Sequence, residues 1–166
     1  MSTIPIKVDG IGTRKDGTGG ESVNLANPQQ FRRLYASEAI TKGDLVALDF
    51  SGTEPTYGYG NHVLICDTGD ALNAQGIGIA TEAIASGALG RIQVHGICDF
   101  AKVDISAVTD GDFLTSGSDA GLLDVYTTDA AFGSGGDALP VAICVAQHAS
   151  SDGAKSKVYL LNPANL

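Results

Sequence analysis

The chain has 166 residues, a formal net charge of −9, 22 glycines, no tryptophan and 6% aromatic residues. That length fits one domain plus an appendage, and the acidity argues against wholesale nucleic-acid binding, which needs clustered Lys and Arg on phosphates. No run of about 18 apolar residues and no basic-then-apolar N-terminus is present, so neither a membrane span nor a secretory leader is expected.

The charge is unevenly spread. Residues 1–33 carry five basic side chains (Lys7, Arg14, Lys15, Arg32, Arg33) against three acidic ones, whereas the remainder carries five against sixteen. A mildly basic leader therefore precedes an acidic body. With Gly10, Gly12, Gly17, Gly19 and Gly20 and few apolar residues, the leader cannot build a core, and residues 1–34 are expected to form an extended arm. Ile4, Ile6 and Val8 alternate as a small strand would. Two readings stay open: an arm that orders on a neighbouring subunit or acidic surface, and a frayed terminus without a role.

The body, residues 35–166, is a succession of short apolar runs bounded by Gly and Asp turns. Ala39-Ile40-Thr41-Lys42-Gly43-Asp44 reads as a turn feeding a strand from Leu45 to Phe50, with Val46, Leu48 and Phe50 on one face. The loop 51–61 holds Tyr57 and Tyr59, which form an exposed contact patch or cap one end of a barrel. His62 to Cys66 is a strand buried on both faces. Ile77 and Ile79 open a hairpin that turns at 86–90. On its return Ile92, Val94, Gly96 and Cys98 pack, while Arg91, Gln93, His95 and Ile97 form a face that can meet partners. Further strands are expected at Lys102 to Val108, Phe113 to Leu114, Gly121 to Thr127, Leu139 to Ala146 and Lys157 to Leu161. No helical stripe appears beyond one possible turn at Ala71 to Gln75. The pattern predicts an all-β protein, a compact β-barrel of the clip or tulip kind behind an extended N-terminal arm.

Conventional chemistry is hard to place on this frame. Cys66, Cys98 and Cys144 lie inside apolar runs without a CxxC pair, which predicts buried, reduced thiols and folding in a cytoplasm. With His62, His95 and His148 they have zinc-ligand types at the wrong spacing for a knuckle. The pairs Asp67/Asp70, Asp110/Asp112 and Asp119/Asp124 match no EF-hand loop and are explained as turn residues, with ion-stabilised loops as the alternative. Gly17 to Gly20 and Gly133 to Gly136 lack the ending of a phosphate loop, and no serine sits in a nucleophile elbow. No catalytic residue, cofactor or metal is assigned, and the protein is read as no enzyme.

The stretches AITKGDLVALDF, GIGIATEAIASGALGRIQVHGIC, and LPVAICVAQ followed by KVYLLN together resemble the small decoration, or cement, proteins of tailed-phage capsids across most of residues 35 to 162. The resemblance implies a virion protein made in the host cytoplasm. It would bind the outer surface of an assembled head as a homotrimer and reinforce contacts of the major capsid protein, without nucleic acid or membrane. Candidate partner-binding residues are Phe31, Arg32 and Arg33, because Arg and aromatics dominate interface energetics, together with Tyr57, Tyr59 and Arg91. Two alternatives remain. A receptor-binding or fibre-tip module would also be β-rich, though no repeat shaft is present. The segments AITKGDLVALDF and GALGRIQVHG also resemble β-clip trimeric nucleotide hydrolases, without the supporting Asp and Ser motifs.

Overall fold

Four tight turns of one construction set the frame. In Thr41–Asp44, Ala85–Ala88, Thr109–Asp112 and Asp119–Leu122 the fourth residue's N–H donates to the first residue's carbonyl, at 3.2, 3.0, 3.2 and 3.1 Å. The third residue of each is a glycine at positive φ: Gly43 (97°), Gly87 (76°), Gly111 (94°) and Gly121 (80°). Positive φ at that position is the type II requirement that glycine meets without a steric penalty. Two of the turns add a clasp, in which Thr41 and Thr109 each donate their N–H at 2.7 Å to the carboxylate of Asp44 and Asp112. Immediately after the four turns begin strands at Leu45, Leu89, Phe113 and Leu123.

The computed structural model describes residues 13–15, 21–23, 29–50, 60–67, 75–104, 108–117, 119–126, 139–146 and 153–161. Every regular element among them is a strand: β1 (Thr13–Lys15), β2 (Glu21–Val23), β3 (Gln30–Ala36), β4 (Leu45–Leu48), β5 (His62–Ile65), β6 (Gly76–Ala80), β7 (Leu89–Val103), β8 (Phe113–Ser116), β9 (Leu123–Val125), β10 (Ala142–Ala146) and β11 (Ala154–Leu160). The all-β expectation holds, and no helix of the described residues is long and apolar enough to cross a membrane. The first two strands pair antiparallel with each other.

The others close into two rings that share β7. Strand β3 pairs in parallel with β5 and antiparallel with β7, and the circuit β5, β4, β6, β7 is antiparallel throughout, giving a mixed five-stranded barrel. The second circuit runs from β7 through β11, β10, β8 and β9 and returns to β7 by the parallel pair Val103↔Leu123. Closure pairs most of these strands on both sides and so leaves few sheet edges to template association.

The sharing explains the length of β7. The sequence pattern separated a return strand ending near Cys98 from another beginning at Lys102, but one strand of 15 residues spans both. Its first half serves the barrel and its second half the other ring. Between them β7 carries an extra residue where Gln30↔His95 is followed by Phe31↔Gln93, and Gly96 takes a φ of 90°. A bulge and a glycine bend the strand from one ring into the other.

Two cores follow. Leu34, Ala36, Ile40, Val46, Val63, Ala80, Ile84, Ile92 and Val94 fill the barrel. Cys98, Ala101, Val103, Leu114, Leu123, Ala142, Cys144, Val158 and Leu160 fill the second ring, joined by Leu45, Ala47, Cys66 and Ile79 from the barrel's outer side. Both faces of β4 are therefore buried, and Phe50, expected to extend its packed face, lies past the strand and is exposed. A bulge between Val46↔Gly78 and Ala47↔Gly76 leaves Ile77 as the extra residue of β6. Strict alternation would put Ile77 and Ile79 on one face; instead Ile77 packs on the barrel core and Ile79 enters the other.

Residues 30–34, which the sequence reading gave to the arm, lie within β3. The strand crosses the 34/35 boundary and is part of the barrel wall. The proposed strand around Ile4 to Val8 and the helical turn from Ala71 lie wholly or mostly outside the described residues.

Candidate binding surface

Strand β3 reads QFRRLYA, and its period of two decides which side chains meet solvent. Leu34 and Ala36 enter the barrel core, so Phe31, Arg33 and Tyr35 take the outer face. Arg32 lies on the inner side, before Leu34, and is exposed. Opposite Phe31, Arg33 and Tyr35 stand Gln93, Arg91 and Leu89 of β7. The Arg91 guanidinium lies 5.0 Å from the centre of the Phe31 ring, a cation–π contact that contributes about 0.5–1 kcal/mol at an exposed site. Arg91 is held from below, because its Nε donates to Thr81 Oγ1 at 3.2 Å and its N–H donates to Glu82 Oε1 at 3.0 Å. Tyr35 meets the His62 ring edge-on, with centroids 5.7 Å apart.

The tertiary structure thus assembles Phe31, Arg33 and Arg91, picked from separate parts of the sequence, into one cationic and aromatic face. Phe31 is 42% exposed and Leu89 47%, so the arginines flank accessible apolar surface. Leu89 and Tyr35 were not singled out from sequence; the strand alternation of QFRRLYA was the available signal, masked by its Arg pair. Tyr57 and Tyr59 lie outside the described residues. The outward face expected along Arg91, Gln93, His95 and Ile97 is interrupted at Gln93, with Arg91 exposed and His95 and Ile97 half-buried. Gln93 is 1% exposed, and its Nε2 donates to Ile97 O at 2.9 Å.

A second concave surface lies on the other ring. Gly111, Asp112, Phe113, Val125, Tyr126 and Pro140 line an open depression of about 510 Å³, with Phe113 exposed in it. Its one carboxylate, Asp112, accepts from Thr109 N–H and Oγ1, and these bonds hold it below the usual carboxylate range. Apart from that internally bonded group, the Tyr126 hydroxyl is the one side-chain polar group in its lining, whereas the β3/β7 face combines aromatic and guanidinium groups of the kind enriched at interface centres.

The remaining titratable groups have structural surroundings. Cys66, Cys98 and Cys144 are buried thiols outside any disulfide, as expected; burial pushes the Cys66 thiol up to about 12 and the Cys98 thiol up to about 11. His95 Nε2 and Tyr159 OH are 3.2 Å apart, with the rings edge to face. Among the described residues no group of three or more His, Cys, Asp or Glu side chains is placed to hold a metal ion. Asp44 is engaged by Thr41 and Lys102, and Asp124 accepts from the adjacent Val125 N–H.

No family model and no curated protein matches the sequence. Among solved structures the chain is similar to one in the capsid of Myoviridae phage XM1, with a TM-score of 0.53 and 14% identity over 96% of this chain and 97% of that one. It is also similar to the N base of head fiber gp8.5 of bacteriophage phi29, with a TM-score of 0.49 and 12% identity over 81% and 95%. At such identities the likeness to the XM1 chain is one of fold, extending over nearly the full length of both chains.

Proposed function

We propose that this protein is a decoration protein of a tailed-phage head: it binds the outside of the assembled shell as a trimer and reinforces contacts between major capsid subunits. The observation that carries the reading is the end-to-end fold likeness to a chain of a phage capsid. The β3/β7 face adds a surface of suitable chemistry, since Phe31, Arg33, Leu89 and Arg91 offer aromatic, apolar and cationic contacts side by side. Many such contacts repeated with the symmetry of a shell give avidity without a deep pocket. The acidic body keeps the free protein soluble before assembly, and buried reduced thiols suit synthesis in a host cytoplasm.

Retention on expanded empty heads tests this. The double variant Arg33→Glu, Arg91→Glu is expected to lose at least tenfold in occupancy after sedimentation, and undiminished occupancy of the shell would remove the face from the mechanism. Absence of binding by the native protein would remove the function. Sedimentation equilibrium should give three times the chain mass of 16.9 kDa; a monomer at all concentrations would exclude a preformed trimer. The leader is proposed to add contacts in grooves between capsid subunits. Because β3 starts at Gln30, its role is tested by deleting residues 1–28, which spares the barrel wall.

A further inference from the structure

Among the described residues, strand β3 is paired on one side only along its first half. It pairs with β7 from Phe31↔Gln93 to Leu34↔Gly90, whereas β5, on its other side, engages only at Tyr35↔His62 and Ala36↔Val63. In an antiparallel ladder alternate residues direct both backbone groups at the partner strand, and the residues between them direct both away. The phase is fixed by two bonds: Ala36 N–H donates to Ala88 O at 2.9 Å, and Tyr35 N–H donates in the opposite direction to Asn61 O at 2.8 Å. Arg33 and Phe31 precede Tyr35 by two and four residues and share its direction. The Arg91 N–H, across from Arg33, likewise turns away from β3 to Glu82. The N–H and C=O of Phe31 and Arg33 therefore point outward, and among the described residues no strand takes them up.

This edge differs from the rest of the body in charge. Arg32, Arg33 and Arg91 lie along it, and among the described residues neither Arg32 nor Arg33 is in an ion pair. Sheet edges are ordinarily paired, covered or blunted, and an open one accepts an extended segment through main-chain bonds, with side-chain pockets adding selectivity. A second copy is a poor occupant, because two such edges meeting would set arginines against arginines. The chain's own leader ahead of the edge, residues 1–28, carries three basic and three acidic side chains and brings no net negative charge to these arginines. We propose that the edge at Phe31 and Arg33 receives an extended segment of the shell's major subunit as an added strand, the segment carrying Asp or Glu beside apolar side chains. This rests on the decoration reading and specifies how its binding face engages the shell.

The test separates backbone from side chain on expanded empty heads. In Arg33→Pro the lost N–H lies on the open side, so the β7 ladder stays intact, and proline is tolerated at such edge positions. Arg33→Ala removes the charge and keeps the N–H. With melting temperatures alike, Arg33→Pro is expected to lower occupancy at least tenfold below Arg33→Ala. Equal occupancy of the two would overturn strand addition while leaving the face as the docking surface; native occupancy in both these variants and the double glutamate variant would overturn both readings. Should Arg33→Pro not fold, hydrogen exchange of the native protein decides. The peptide covering residues 30–36 should gain protection at two amides on binding heads, and no gain would overturn the proposal.

Discussion

The Lys102 ammonium lies 2.5 Å from Asp44 Oδ1 and 2.6 Å from Thr41 Oγ1, so the long shared strand grips the first glycine turn by its side chain. It also grips by its backbone, since Lys102 N–H donates to Gly43 O at 3.0 Å. The Asp44 side chain is 7% exposed and that of Lys102 25%. Asp44→Ala removes the partner of Lys102 and the acceptor of Thr41 together, and should cost about 3 kcal/mol, as for other pairs broken on one side. Lys102→Met, which leaves the bonds between Thr41 and Asp44 in place, should cost less. Urea unfolding of the two variants measures the difference.

Glycines in this fold are required for two different reasons, and alanine scanning should separate them. A Cβ at Gly78 would lie 2.4 Å from the Gln93 carbonyl oxygen, a backbone atom inside the barrel seam that cannot move aside. Gly78→Ala should cost about 3 kcal/mol through overpacking and lower the melting temperature markedly. At Gly87 a Cβ meets nothing within 4 Å, but φ is 76°. Gly87→Ala should cost only about 1 kcal/mol, the left-handed penalty of an L-residue.

The thiols make stability fall in alkali. Burial raises Cys66 to about 12 and Cys98 to about 11 from an ordinary 9.0. Above pH 9 the unfolded chain releases these protons and the folded chain retains them, so their contribution is complete below pH 9 and is lost as pH rises towards 12. Denaturant midpoints should decline over that window, and the decline should be smaller in Cys66→Ala, Cys98→Ala. At pH 8 a thiol reagent should leave the native protein unlabelled and label three thiols after unfolding.

At the acid end the clasp of the third turn behaves oppositely. Two hydrogen bonds from Thr109 hold the Asp112 carboxyl below its ordinary 3.8. Its stabilising effect is present above pH 3.8 and is lost as pH falls through the lower, folded value. Carboxyl carbon NMR should show Asp112 titrating below 3.8. Thr109→Val, which deletes the side-chain donor but keeps the backbone one, should move the midpoint part of the way back.

Sequence by itself determined the strand class, the turns at Gly43 and Gly87 and the buried thiols, because each depends on neighbours within a few residues: a two-residue period, a positive φ demanded at a turn, an apolar run around a cysteine. Gly121, read as the start of a strand, instead completes a turn ahead of β9. Sequence also nominated Phe31, Arg33 and Arg91, from residue chemistry. Only the tertiary structure decided that these three share a face, since β3 and β7 meet about 60 positions apart in the chain. The same holds for bulges. Ile77 and Ile79 look equivalent in the pattern, and they part company only because β6 must match β4 with one residue to spare. The continuous run of β7 through Asp99 and Phe100 follows from a second ring waiting to pair with it. Pairing over long separations gains its hydrogen bonds and buried area only once the chain has closed on itself, so no local window contains it.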